Sequence, residues 1–367
     1  MESSSSVYEG KRTMSESRSL DPQRVHELLM ARAPRELAFR VDRNLEQWRS
    51  DLYRALRQVL GTPPDEVPLQ PEWSPWEERE TCRVRRVVFQ VEEGSSAVGW
   101  LVSPRPTAPG RGGIRRPTVI CLQGHSSGAY ISLGEIRHPD DAAHLADDHD
   151  YALQAVARGY HAFVLEQRAF GERSDGRPLA LRGHYDPDRP FTDERCRHQS
   201  MVALLLGRTL MGERVHDVSR AVTLLEGLPE VDPGRIGCMG NSGGGSTTWY
   251  AAALDERIAA VMPGCSVCSY EVSIGRIDHC SDNYLPGALT HFDMGDLAGL
   301  IAPRPLVLVA GDEDPIFPYE GIRTSEATIR DVYRSFGASD RVVLHTGRGG
   351  HRFYRDAWKD FSALTGW

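Results

Sequence analysis

Short, mainly apolar runs recur along this chain from about Pro117 onward, separated by stretches whose apolar residues recur every three or four positions. Thr118–Leu122, His161–Leu165, Arg235–Met239, Ile258–Met262, Pro305–Ala310 and Val342–His345 are such runs, bounded by Gly, Pro or polar clusters. Strands with no polar alternation suit a sheet buried on both faces. Between them, helical spacing is read at Asp147–Arg158, ending at Gly159, and at Gln199–Leu228, with candidate breaks at Gly207 or Gly212. Further helices are read at Gly243–Leu254 and about Gly321–Phe336. Alternating strands and helices predict an α/β fold, with a mostly parallel central sheet covered by helices on both faces. Ligands of such sheets sit beyond the carboxyl ends of the strands.

The first eighty residues read differently. Residues 1–19 are Ser-rich and polar, and a disordered tail is expected there. Asp21-Pro22 reads as a helix cap followed by Pro at the first helical position. A longer amphipathic helix is expected from about Pro34, with Leu45, Trp48, Leu52, Leu56 and Val59 on one face and Gly61 as its stop. With the Pro-rich connector Pro63–Trp76 this makes an extension over 20–80, ahead of a main domain over 81–367. The arm is expected to pack on that domain, the alternatives being a homo-oligomer through the N-terminal helices or a cover for the active site. Arg86–Val91 and Ala97–Ser103 predict a hairpin joined by a Gly-Ser turn. The polar segments 168–198 and 268–300 are expected to form a small cap that shapes the pocket.

Composition narrows the function. A chain of 367 residues with 40% hydrophobic and 26% charged residues is ordinary for a globular enzyme. The net charge of −8 argues against nucleic acid as a partner, and no apolar run approaches the roughly 20 residues that span a membrane. The start Met-Glu-Ser-Ser-Ser-Ser lacks the features of a secretory signal. The seven cysteines are an odd number, and Cys121 and Cys238 fall inside predicted strands. A cytoplasmic protein with reduced thiols is the expectation.

The candidate chemistry centres on Gly240-Asn241-Ser242-Gly243-Gly244, a G-x-S-x-G match between a predicted strand and helix. That spacing makes a sharp turn that lifts the serine clear of the backbone, and glycines two residues either way leave room for it. Gly-rich turns also bind phosphate, but neither G-x-G-x-x-G nor a P-loop lysine is present, and no cofactor is expected. A serine needs a base and an orienting acid on later strand ends. After Pro305–Ala310 comes Gly311-Asp312-Glu313-Asp314-Pro315, and after Val342–His345 comes Gly347-Arg348-Gly349-Gly350-His351. His351 is the better base, since His345 points from its strand into the structure. Asp314 is favoured as the acid, with Asp312 as the competitor. The loop Gln123-Gly124-His125 would bring the amide of His125, beside that of Gly243, to an oxyanion hole. The His125 side chain itself is expected to be incidental. Cys265-Ser-Val-Cys268 with His279-Cys280 has a zinc-like spacing, but nothing else supports a closed site, and no metal is expected.

These residues resemble the α/β-hydrolase superfamily, and within it the bacterial branch labelled dienelactone-hydrolase-like or acetyl-xylan-esterase-like. The resemblance runs from about Arg83 to the C-terminus, through Val119–His125, Arg168-Ala-Phe-Gly-Glu-Arg173, Leu205–Leu210, Val231–Gly237, the serine turn and Ile301-Ala-Pro-Arg-Pro305. It implies a serine esterase with Ser242, Asp314 and His351 as triad, amides of His125 and Gly243 as oxyanion hole, and a small-molecule ester as substrate. Gln123 stands where a His is frequent, and Ala169 where Gly is usual. Dienelactone hydrolases proper use Cys as nucleophile, whereas this chain has Ser242. Two alternatives remain: the same residues used for acyl transfer or elimination of an acyloxy group, and an inactive hydrolase fold acting as a binding module.

Overall fold

The computed structural model describes residues 21–105, 115–174 and 193–367, so the Ser-rich segment 1–19 and most of 168–198 lie outside the described residues. The chain divides into two compact units, 1–33 and 34–367. In the first, helix α1 (Pro22–Ala31) begins where the sequence predicts, with the Asp21 carboxylate accepting the Gln23 N–H at 2.9 Å and Pro22 in the first turn.

The second unit opens on helix α2 (Leu45–Leu60), eleven residues later than the Pro34 start expected from spacing, and the reason is tertiary. The amides of Glu36, Leu37 and Phe39 donate to Thr290 O, His291 O and the Asp296 carboxylate, so they are committed to another segment and no helical ladder forms. Asn44 caps α2 by accepting the Gln47 N–H, and Gly61, at φ 82°, ends it. The apolar face is the predicted one: Trp48, Leu52, Leu56 and Val59 are buried in the main core. Gly299 lets Trp48 approach, since a Cβ there would lie 2.4 Å from the indole.

Strands β1 (Glu72–Trp73) and β2 (Glu77–Glu78) both pair antiparallel with β3 (Cys82–Glu92). β3 forms the predicted hairpin with β4 (Ser95–Pro104), extended at both ends and closed by Glu93-Gly94, with Gly94 at φ 75°. β5 (Arg116–Leu122), β6 (His161–Leu165), β7 (Val231–Asn241), β8 (Ile258–Gly264), β9 (Leu306–Gly311) and β10 (Val342–Gly347) are mutually parallel. The ten-stranded sheet runs β1-β3-β4-β6-β5-β7-β8-β9-β10, with β2 on β3 and antiparallel pairing confined to the β1–β4 end and the β4–β6 junction.

The helix expected over Asp147–Arg158 is instead two short ones, α3 (Asp141–Ala146) and α4 (Tyr151–Val156). Asp148 between them adopts φ 64°, and its carboxylate accepts from Arg352 and Arg355. The long stretch over Gln199–Leu228 breaks at Gly207 (φ 70°) rather than Gly212. It gives α5 (Asp193–Leu205) and α6 (Leu210–Glu226), the latter capped by Thr209. α7 (Gly243–Leu254) has the predicted bounds. α8 (Ala288–His291), α9 (Ala298–Ile301), α10 (Tyr319–Ser335) and α11 (Ala357–Thr365) complete the cover of the sheet.

Among the described residues two large apolar cores form, beside two small clusters. One holds α2, α6, α7, α9 and α10 against the sheet, the other α4 and α11. Arg304 ties part of the first together. Its guanidinium donates to Ile301, Asp255, Ile258, Ala252 and Leu300 carbonyls at 2.6–3.1 Å, which satisfies C-terminal carbonyls of α7 and α9 and the entry to β8. Among the described residues no helix is long and apolar enough to cross a membrane.

Candidate active site

β7 ends at Asn241 and α7 begins at Gly243, so Ser242 takes the whole change of direction, at φ 57° and ψ −125°. A non-glycine residue held there is strained, and the fold over-determines it. The Ser242 amide donates to Gly264 O on β8 at 2.9 Å. A Cβ on Gly244 would lie 2.1 Å from Leu122 O, and one on Gly240 would lie 2.5 Å from the Gly244 backbone. These are backbone contacts that no rotamer relieves, so the glycines of the motif are required by the crossing of β5, β7 and α7.

The base and acid loops meet as their order in the chain predicts. His351 Nδ1 lies 2.8 Å from Asp314 Oδ2, and the other carboxylate oxygen accepts the Ile316 and Phe317 amides at 2.8 and 3.0 Å. Burial alone would raise the Asp314 pKa. The hydrogen bond and charge of His351, with those two amides, outweigh it and hold the carboxyl below its ordinary value. Asp312 is exposed and accepts the Gly349 amide at 2.8 Å, tying the two loops to each other. His345 pairs with Asp360 instead. The Phe317 ring stacks on His351, centroids 5.8 Å apart, and His279 packs edge-on against Phe317.

Ser242, His351, Gly124 and His125 share one cavity of about 730 Å³. Its walls come from α3 and the turn after it (His144, Asp147, His149), from Arg197 and Met201 of α5, and from the Asp278–Tyr284 segment. Gly124 lies against the serine turn, since a Cβ on it would be 2.9 Å from Ser242 Cβ. Gln123 anchors this loop: its side-chain amide donates to Ser132 Oγ (2.6 Å) and His149 O (2.9 Å). Burial first, then the charges of His144, His351 and Arg352, push the His149 pKa down to about 3, so this imidazole is neutral in the cavity wall.

Several residues that brace the site stand outside the serine, acid and histidine loops. Glu166, just past β6, is buried, and its carboxylate accepts the Ala129 amide, bracing the loop that follows Gly124. Burial pushes its pKa up to about 7. The Arg168 and Arg173 guanidinium groups meet on the buried Asp217, so residues 168–174 are stitched into the body of the domain. Ala169, at the position where glycine is usual, sits at φ 68°, which explains that usage. Asp282 and Arg214 form a fully buried ion pair next to His125. The Arg214 half was detectable, because it falls on the apolar face of α6 between Met211 and Val218. Asp282 lies in an aperiodic polar stretch and was not. The His125 ring is held edge-on against Phe170, centroids 4.7 Å apart, with Nε2 3.8 Å from Asp282 Oδ2. All seven cysteines are unbridged.

Comparison with known proteins places the chain beside esterases and hydrolases in sequence and fold. The family Acetyl xylan esterase (AXE1) matches residues 146–286, which span the serine turn and the Asp282 segment. A Bacillus subtilis (strain 168) protein named as a hydrolase, YtaP, is 28% identical over 306 residues, covering 83% of this chain and 94% of its own. Polyketide transferase claH of Penicillium crustosum is 27% identical over 197 residues, covering 54% of this chain and 46% of its own. A crystal structure of a protein described as an acetyl xylan esterase, from Bacteroides fragilis NCTC 9343, superposes with a TM-score of 0.71 at 20% identity, over 91% of this chain and 84% of that one. The chain has the α/β-hydrolase fold, and its segment 146–286 is similar to the acetyl xylan esterase family. The likeness supports a carboxylic-ester hydrolase.

Proposed function

We propose that this α/β-hydrolase is a serine esterase that cleaves a small carboxylic ester through an acyl-enzyme, with Ser242, His351 and Asp314 as its triad. The observation that carries the reading is the His351–Asp314 hydrogen bond in the same cavity as a serine held in a left-handed turn at a helix start. With Nδ1–H committed to Asp314, the neutral imidazole keeps its Nε2 lone pair for the Ser242 proton. Ser242 Oγ attacks the acyl carbonyl, and the oxygen that gains charge is taken by the amides of His125 and Gly243. The second amide belongs to the first turn of α7, whose dipole adds to the field there. Collapse expels the alcohol, which takes the proton back from His351. Water then attacks the acyl-enzyme with His351 again as base, and the acid leaves.

The test is hydrolysis of p-nitrophenyl esters from acetate to octanoate by wild type and Ser242→Ala, with labelling by a fluorophosphonate. Turnover and labelling that both disappear in the variant support the reading, with a loss of roughly 10⁴-fold or more in kcat. Activity that survives Ser242→Ala would overturn it.

The likeness to the protein named polyketide transferase favours one second reading, acyl transfer to an alcohol or amine other than water. The acyl-enzyme would be the same and the acceptor would differ. Product analysis with added alcohol or amine acceptors separates the two: both release the original alcohol, but hydrolysis leaves the acyl group as free acid, and transfer leaves it as a new ester or amide.

A further inference from the structure

One imidazole in the cavity wall belongs to neither the triad nor the oxyanion loop. His279 is half-buried and lines the same cavity as Ser242 and His351. Two polar atoms close on one side of its ring. Nε2 lies 2.9 Å from Ser273 Oγ and 3.1 Å from Ile316 O, and Ser273 Oγ lies 2.8 Å from the same carbonyl. A carbonyl only accepts, so each atom that faces it has to carry a proton. The Ser273 hydroxyl supplies one and the ring supplies the other. With the ring proton on Nδ1 instead, Nε2 and Ile316 O would oppose two lone pairs at 3.1 Å. The tautomer is therefore Nε2–H, which leaves the lone pair on Nδ1.

Burial is the main cause that lowers the His279 pKa. The Ile316 hydrogen bond opposes it and the charge of His351 adds to it, so the ring is neutral near pH 7 and Nδ1 stays an acceptor. Among the described residues no protein group donates to Nδ1. The ring is also held in place: it packs edge-on against Phe317, centroids 5.0 Å apart, and Phe317 stacks on His351. Beside it, Tyr284 Oη accepts the His279 backbone N–H at 3.3 Å and keeps its own proton to donate. Tyr284 lines the cavity as well. An acceptor and a donor on adjacent groups suit a hydroxyl, which both gives and receives a hydrogen bond, whereas an amide N–H or an ether oxygen meets only one of the two. His279 stands one ring away from His351, the residue that returns a proton to the departing alcohol, so the alcohol half of the ester faces this side.

We propose that His279 and Tyr284 are specificity-determining residues that read a second hydroxyl on the alcohol half of the ester, His279 Nδ1 accepting its hydrogen bond and Tyr284 Oη donating one to its oxygen. The inference rests on the esterase reading of Ser242. That hydroxyl is not a reacting group, so substrate and transition state are held alike, and the effect falls on KM more than on kcat.

The experiment measures kcat/KM for the series from hydroxyethyl to hydroxyhexyl acetate and for the corresponding methyl ethers. Wild type, His279→Phe, Tyr284→Phe and Ser242→Ala are compared, with urea midpoints as the check on folding. The ether keeps an oxygen for Tyr284 but has no donor for His279, and comparing ratios between enzymes cancels the intrinsic reactivity of the esters. Wild type is expected to favour the hydroxyl ester over its ether by roughly tenfold at the chain length that spans the site, and His279→Phe to bring that ratio to within about threefold of one. Tyr284→Phe is expected to lower both members of that pair by about threefold or more while keeping their ratio. Should His279→Phe fail to fold, His279→Leu takes its place under the same criterion. A wild-type ratio within about threefold of one at every chain length, or a ratio that His279→Phe leaves as it was, overturns the inference. Rates untouched by Tyr284→Phe remove that residue from it. If Ser242→Ala is inactive on every ester, the esterase reading stands whatever the ratios. Activity in Ser242→Ala overturns both.

Discussion

Replacing Asp314 by Asn exchanges one oxygen for an NH₂ group and should reverse the polarity of the bond to His351. The Ile316 and Phe317 amides both donate to Asp314 Oδ1, at 2.8 and 3.0 Å, so in the variant that position has to remain the carbonyl oxygen. The new NH₂ then occupies the place of Oδ2, 2.8 Å from His351 Nδ1. A donor facing Nδ1 makes that nitrogen an acceptor and moves the ring proton to Nε2, the nitrogen that has to receive the Ser242 proton. In a serine triad this wrong tautomer costs about 10⁴-fold in kcat, or about 5 kcal/mol of transition-state stabilisation. Asp312→Asn is the control. Asp312 is exposed and serves one amide, Gly349, which the Asn carbonyl can still accept, so kcat should stay within about threefold of wild type. Initial rates of p-nitrophenyl acetate hydrolysis near neutral pH, with urea midpoints for both variants, decide the matter. An Asp314→Asn enzyme that keeps more than about a tenth of wild-type kcat would refute the tautomer argument. A large loss in Asp312→Asn instead would hand the acid's role to that residue.

Two further outcomes concern stability. His149 is held neutral at a pKa of about 3, below its unfolded value of roughly 6.5, so the stability linked to it is fully present above pH 6.5 and is lost as the pH falls toward 3. The whole shift corresponds to about 5 kcal/mol. Urea unfolding of wild type and His149→Phe at several pH values from 7 to 4 should show a shallower acid limb in the variant, and parallel limbs would contradict the assignment. At Ala169, the φ of 68° carries a Cβ penalty of roughly 1–2 kcal/mol, of which the chain entropy of glycine returns about half, so Ala169→Gly should stabilise by up to about 1 kcal/mol. An unchanged or lower urea midpoint would mean that the local packing prefers the methyl group.

Legibility in the sequence followed the range of the interactions. The parallel strands stood out because burial on both faces leaves no polar alternation, and α7 was bounded correctly because the turn and the helix share one glycine-rich stretch. The loops bearing Asp314 and His351 were legible because they follow directly on strand ends. Where a segment's hydrogen bonds go elsewhere in the chain, local reading failed. Residues 36–39 carry a helix-compatible pattern, yet they donate to residues 290–296, and α2 starts only at Leu45. Asp148 breaks the helix expected over 147–158 because Arg352 and Arg355, two hundred residues on, hold it. The Arg214–Asp282 pair joins α6 to the aperiodic segment after β8, and no spacing rule connects those positions.

Arg304 places a limit on how this architecture can be edited. Its five N–H groups serve carbonyls at Ala252, Asp255, Ile258, Leu300 and Ile301, which come from the end of α7, the entry to β8 and the end of α9. One rigid planar fork sets the spacing of all three. A lysine carries three donors on a single nitrogen and cannot reproduce it. Insertions or deletions in the α7–β8 turn or at the end of α9 would strand buried acceptors, so the amino-terminal edge of the sheet behaves as a fixed chassis. Length variation is left to the carboxyl edge, where the segments that wall the cavity can be exchanged while the serine turn keeps its place.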